Sequence, residues 1–302
     1  MRGKASAHVT KGHLLLASAK AGSTEDDAVR AARDVLAAAG PVEVVETSTP
    51  EQCHDALDRL EGRTLVVAGG DGSLHFAVTQ LHGRHELATT RLALVPLGTG
   101  NDLARALGVP LDPAQAARVV LDCAARPIDL IEDDAGGIVV NAVHVGVGAD
   151  AAAAAGRLKP RLGPLAYPVG AVTAGLRSTG WRLRVELDGR VLADGRSRSL
   201  MVGIGNGRGI GGGTPLLPHA EPDDGLLDVV VSAASGPVAR VRFGAALAAG
   251  THLQDKAVRY ARGTTVVVSG EQVGVNADGE LGDEVRRRRW TVRPGAWSLV
   301  RP

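Results

Sequence analysis

The chain has 302 residues, 44% hydrophobic and 22% charged, with a net charge of +1. That balance fits a soluble globular protein long enough to hold two domains and a large core. A near-neutral charge and only 2% aromatic residues argue against an electrostatic or base-stacking binder of nucleic acid, so no nucleic-acid partner is expected.

The opening "MRGKASAHVTKGHLLLA" is basic, but its apolar stretch is too short for a secretory signal. No segment reaches the ~20 apolar residues that cross a bilayer. The expected location is therefore the cytoplasm, with peripheral contact at the inner membrane face as the alternative. Cys53 and Cys123 fall in separate helix-like segments without metal-ligand spacing, and read as reduced thiols.

From His13 to about Ile128, "HLLLA", "VEVV", "TLVVA" and "LALVP" are continuous apolar runs, the pattern of buried parallel strands. Helices with start signals lie between them. Thr24 precedes the acidic "EDD" of a helix that stops near Gly40, Thr49-Pro50 opens a second, and Asp112-Pro113 opens another. Strand–helix alternation of this kind predicts an α/β domain with a parallel sheet over residues 12–128. Residues 296–302 are candidates to return to it.

Residues 129–295 have another texture. In "WRLRVELDGRVLADG", apolar Trp181, Leu183, Val185 and Leu187 alternate with polar neighbours before the hairpin signal Asp188-Gly189. "RSLMVGIG", "GLLDVVVS", "TTVVVS", "EQVGVNADGE" and "RRWTVRPGAWSLV" continue as short strands. Helices are expected over residues 163–177 and from Ser235 through Pro237 to Gly250. The second domain is thus expected to be β-rich, an antiparallel sandwich.

Two loops carry the chemistry. "GGDGS", residues Gly69 to Ser73, follows the third strand and leads into a helix. Alone it is either a tight turn with a capping Asp or a loop whose bare backbone and helix N-terminus receive an anion. After the next strand, "PLGTGNDLARAL" repeats the arrangement, with Gly98, Thr99, Gly100, Asn101 and Asp102. Two such turns at adjacent strand ends suit a nucleotide polyphosphate. Neither is a P-loop, since no Lys follows, and neither is G-x-G-x-x-G. "NADGE", Asn276 to Glu280, reads from its residues as a hairpin turn.

Taken together, "GGDGS", "PLGTGNDLARAL", "GGG…P…DDGLLDVVV" and "VNADGE" resemble the diacylglycerol kinase catalytic family, from about Leu14 to Pro302. That family includes bacterial lipid kinases and sphingosine and ceramide kinases, and is related in fold to NAD kinases. The resemblance implies ATP, with phosphates near Gly70, Asp71, Gly72, Ser73 and Thr99. Gly69, Gly98, Asn101 and Asp102 complete the same two loops. In the first turn, "SAKAGS", it implies contacts from Ser18, Lys20 and Gly22, and after the second strand a weaker one from Thr47. Lys20 either lies against a phosphate or is solvated.

Phosphoryl transfer to an alcohol needs a carboxylate to accept the hydroxyl proton. The resemblance puts that acceptor in "NADGE", with Glu280 as the base and Asp278 as runner-up or as part of a Mg2+-linked water network. Asp71 is expected to face the phosphates across a cation or ordered water, and Asp102 to join it. A structural Mg2+ site is implied at Glu221, Asp224 and the backbone carbonyl of Leu226; an acidic turn before a strand is the competing reading. Asp228, His144 and His252 read as structural.

Ser18-Ala19 stands where the family has Asn-Pro, and Ser73 where Thr is commoner. His75 and Phe76 occupy positions usually held by an amide and a carboxylate, a change bearing on nucleotide preference, metal dependence or catalysis. The run Arg286 to Arg289 is either a solvated strand or a contact for anionic headgroups. Lys159 and Arg161 are better placed to approach a substrate phosphate. Edge strands of the β-rich domain could pair two copies into a homodimer. The expected activity is ATP- and Mg2+-dependent phosphorylation of a hydroxyl on a lipid-like acceptor. The alternatives are a soluble polar alcohol as acceptor, or a nucleotide-binding regulatory protein with reduced catalysis.

Overall fold

The computed structural model describes residues 12–18, 23–146, 179–233 and 236–302. Lys20, Gly22, Lys159, Arg161, Ser235 and the helix expected over residues 163–177 lie outside the described residues, as does the side chain of Ser18. The chain divides into two compact units, one ending at Pro127 and regaining Trp297–Pro302, the other spanning Ile128–Ala296.

In the first unit, β1 (His13–Ser18), β2 (Val42–Thr47), β3 (Thr64–Gly69) and β4 (Arg91–Pro96) form a parallel sheet in the order β2-β1-β3-β4. Leu14, Leu15, Leu65, Val66 and Leu92 are fully buried, as continuous apolar strands covered on both faces must be. Helix α1 (Ser23–Ala37) starts one residue before the expected Thr24. Helix α2 (Pro50–Asp58) is capped by Thr49, whose hydroxyl accepts from the Gln52 N–H at 3.4 Å. It buries Cys53, whose thiol burial pushes up, away from reactivity. Helices α3 (Asp71–Gly83) and α4 (Asp102–Ala106) open at the two glycine turns. Helix α5 (Pro113–Asp122) is capped by Asp112, which accepts from the Gln115 N–H at 2.8 Å.

The second unit is antiparallel. One sheet has the order β12-β11-β10-β7-β14-β15, built from β7 (Ala142–Gly146), β10 (Met201–Gly205), β11 (Leu227–Ser232), β12 (Val258–Gly263), β14 (Val275–Ala277) and β15 (Glu280–Leu281). The other holds β8 (Leu183–Leu187), β9 (Arg190–Asp194), β13 (Thr265–Val273) and the first part of β16 (Val285–Val300). Alternation sets the core. Val143, Val145, Ile204 and Val229 meet Val185, Val266, Val268 and Trp290, whereas Ala142, Met201 and Val230 pack with Leu216 and with Phe243 of α6 (Pro237–Ala248). β5 (Ala125–Asp133) and β6 (Ile138–Val139) pair beside β16. The last residues of β16 pair with β4 in parallel, Ser298 opposite Arg91, so the chain ends in the first unit's sheet.

Both Asp-Gly hairpins form. Asp188-Gly189 joins β8 to β9 with φ of 47° and 79°, and Asp278-Gly279 joins β14 to β15 with φ of 49° and 92°. Two left-handed residues in a two-residue loop match the twist of the flanking strands. In the arginine run, Arg287 pairs with Asp134 at 3.1 Å and Arg288 with Asp133 at 2.7 Å. Among the described residues, no helix is long and apolar enough to cross a membrane.

Candidate functional site

The two glycine turns touch through their backbones. A Cβ on Gly98 would lie 2.6 Å from Gly70 Cα, and one on Gly70 would lie 3.0 Å from Gly98 Cα. A side chain at Gly98 would drive the turns apart, and one at Gly70 would press tightly on the same backbone. Asn101 supports the second turn. It adopts φ 52°, a left-handed conformation Asn tolerates, and its Nδ2 donates to the Gly98 carbonyl at 2.6 Å.

Asp71 ties the turns together. Its Oδ2 accepts from the Asp102 N–H at 3.0 Å and its Oδ1 from the Leu103 N–H at 3.1 Å. The carboxylate thus sits on the N-terminus of α4, satisfying two donors the helix cannot. Each oxygen takes one backbone N–H, a role the sequence did not announce. Helix α3 is different, because Gly70 at its N-cap supplies no side-chain bond. Its first turn is therefore the N-terminus of the pair left without a capping side chain. In the two loops, Gly72 and Ser73 are half-exposed or exposed, Thr99 is exposed, and Asp102 is buried.

A cavity of about 280 Å3 lies in the first unit, with Thr47, Gly72 and Ser73 in its lining. Ser48, Thr49 and Phe76 also line it; the sequence had marked Thr49 only as a helix cap, and Phe76 as a departure from the family. Its other walls are the carboxyl ends of β1 and β3. Those apolar strand ends carry no motif, so only their neighbourhood to the glycine turn could have marked them.

In the second unit, Asp278 makes three bonds to backbone. Its Oδ2 accepts from the Val140 N–H at 2.6 Å, and its Oδ1 from the N–H groups of Asn141 and Ala142, both at 2.9 Å. A carboxylate so engaged positions the 140–142 segment. Glu280, two residues on, is exposed on β15. Asn276 Oδ1 accepts from the Gly279 N–H at 3.2 Å and steadies the turn.

The residues implied for a structural Mg2+, Glu221, Asp224 and the Leu226 carbonyl, lie in one turn before β11. Asp224 is ion-paired with Arg262 and its Oδ1 accepts from the Leu226 N–H at 3.0 Å, while Glu221 is exposed. Among the described residues, no group of three or more His, Cys, Asp or Glu could hold a metal. Here the segment forms an acidic turn before β11. Asp228 is fully buried and accepts from the Tyr260 hydroxyl. Burial, reinforced by the Glu221 carboxylate, pushes it up to about 7. Arg262 Nε lies 3.5 Å away but the guanidinium is drawn to Asp224.

His144 on β7 is buried and held down to about 4, chiefly by burial, with the Asp278 carboxylate partly offsetting it. A ring depressed from its ordinary 6.5 adds stability above that pH and loses it as pH falls toward 4. Urea titrations should therefore show up to about 3 kcal/mol lost over that window. His144→Gln should flatten this limb; an unchanged limb would reassign it.

Comparisons with known proteins agree with this arrangement. Residues 13–132 match the model of the diacylglycerol kinase catalytic domain, and residues 141–301 that of the YegS C-terminal NAD kinase beta sandwich-like domain. A Pseudomonas aeruginosa protein named "Probable lipid kinase YegS-like" is 39% identical over 246 residues, covering 79% of this chain and 76% of its own. A protein of the same name from Stenotrophomonas maltophilia is 36% identical over 229 residues, covering 72% of each. The solved structure of a diacylglycerol kinase from Bacillus anthracis shares the fold, with a TM-score of 0.71 at 19% identity over 97% of both chains. The chain belongs to the YegS-like lipid kinases of the diacylglycerol kinase family.

Proposed function

We propose that the protein uses ATP to phosphorylate a hydroxyl of a lipid-like acceptor. The observation that carries this reading is the pair of glycine turns tied by Asp71, with the first turn of α3 left uncapped beside a cavity. That end of α3 would receive the phosphates. The acceptor class comes from the names of the relatives, which are lipid kinases.

In the reaction proposed, the acceptor hydroxyl gives its proton to Glu280 as its oxygen attacks the γ-phosphorus. The bond from that phosphorus to the bridging oxygen breaks, and ADP leaves. Asp71 and Asp278 are positioning residues. Mg2+ would enter as the counterion of the nucleotide, neutralising phosphate charge.

The test is turnover of γ-labelled ATP with short-chain diacylglycerols, long-chain amino alcohols and glycerol. Glu280→Gln is expected to lower turnover about 10²–10⁴-fold without changing the melting midpoint, because the side chain is exposed. Full turnover by this variant would remove Glu280 as base. Phosphorylation of glycerol alone would remove the lipid acceptor. ATP binding without turnover on any acceptor would leave the regulatory reading in its place.

A further inference from the structure

The cavity of the first unit differs in chemistry from the turn it adjoins. Its volume, about 280 Å3, lies just under the ~300 Å3 at which sites for whole ligands begin, so it suits one part of a nucleotide. Leu16, Ala17, Val67 and Ala68 give it an apolar floor, and Phe76 forms a wall. The polar groups at its edge are hydroxyls, from Thr47, Ser48, Thr49 and Ser73. No lining side chain is charged and none carries an amide.

Helical spacing explains why Phe76 is there. Leu74, Ala77, Val78 and Leu81 of α3 are buried in the core. Gly72, Ser73 and Phe76 fall on the face left over, three and four residues apart. The same face therefore begins at the uncapped N–H groups and, about 5.4 Å further along the axis, presents an aromatic ring. A nucleotide laid along it would meet donors at its phosphates and a flat apolar surface at its base.

We propose that this cavity is a purine-base subsite in which Phe76 stacks on the base. The inference rests on the nucleotide-binding reading above and names what that reading leaves open, the way the base is held. Recognition here works by ring stacking and enclosure, with the hydroxyl of Thr47 available to the ribose. With no charged or amide side chain to read the exocyclic groups, ATP and GTP should bind within about tenfold of each other. Phe76 replaces the carboxylate that the family resemblance implies at this position, so the subsite is a property of this chain. A carboxylate there would offer the base no stacking surface.

Equilibrium binding of ATP, GTP, CTP and inorganic tripolyphosphate tests this, using the full chain and its Phe76→Leu and Phe76→Tyr variants. Leucine keeps apolar bulk without a ring, so the fold survives where Phe76→Ala would risk it. Phe76→Leu is expected to weaken ATP and GTP roughly 10–100-fold, with tripolyphosphate bound as in the wild type. Phe76→Tyr should keep purine affinity, and CTP should bind less tightly than either purine in the parent chain. If the wild type binds ATP and Phe76→Leu binds it equally well, the subsite falls while the nucleotide reading stands. If the wild type binds neither ATP nor tripolyphosphate, both fall together.

Discussion

Replacing Asp278 with alanine should lower the unfolding free energy of the second domain by about 4 kcal/mol. Three backbone N–H groups, those of Val140, Asn141 and Ala142, lose their common acceptor, and all three residues are buried. An unsatisfied buried donor costs ~1–3 kcal/mol, and an ionised acceptor puts these bonds at the stronger end. Alanine at φ 49° adds backbone strain of its own. Asp278→Asn separates the two contributions, since asparagine accepts the left-handed turn and keeps one acceptor oxygen. Urea unfolding followed by the buried Trp290 is the measurement. A loss under ~1 kcal/mol for alanine would show that the three bonds carry little of the domain's stability.

The second large effect concerns Asp71. Asp71→Ala removes both bonds that hold α4 against the start of α3, at a cost of about 2–4 kcal/mol for two charge-assisted contacts. Its functional consequence should be greater than its structural one. The turn at Gly98 lies against Gly70, and a shift of about 1 Å in a positioned site costs roughly 100-fold in rate. Amide exchange at residues 98–103 should accelerate, and ATP affinity should fall with it. Asp71→Asn should lie between, because its amide nitrogen would face a backbone N–H. Native exchange rates in the alanine variant would refute the tie.

The two predictions share a lesson about aspartate. Asp71, Asp188 and Asp278 each sit beside a glycine, and each sends its carboxylate to backbone N–H groups of a segment far along the chain. Asp188 accepts from Thr264 and Thr265 as Asp278 accepts from 140–142. Burial would raise the Asp188 carboxyl, but these bonds outweigh it and hold it below the usual range. A local pattern such as D-G announces the turn, since two left-handed residues are a property of the dipeptide. It cannot announce the partner, which lies up to 138 residues away in the chain. The acidic turn at Glu221 to Leu226 is a further case. Its spacing is local, but the partner of Asp224, Arg262, comes from another strand.

Much of this protein was settled by sequence alone. Continuous apolar runs compel strands buried on both faces, Thr49 and Asp112 cap helices through bonds within one turn, and the two D-G pairs form hairpins. All of these depend on neighbours no more than a few residues apart. The order of the glycine-rich motifs was enough to reveal the family. Tertiary structure alone decided what Asp71 and Asp278 hold, where Asp224 spends its charge, and that Phe76 walls a cavity. Those outcomes depend on which distant backbone donors, cations and strand ends packing brings within reach, and a side chain's chemistry does not contain that information.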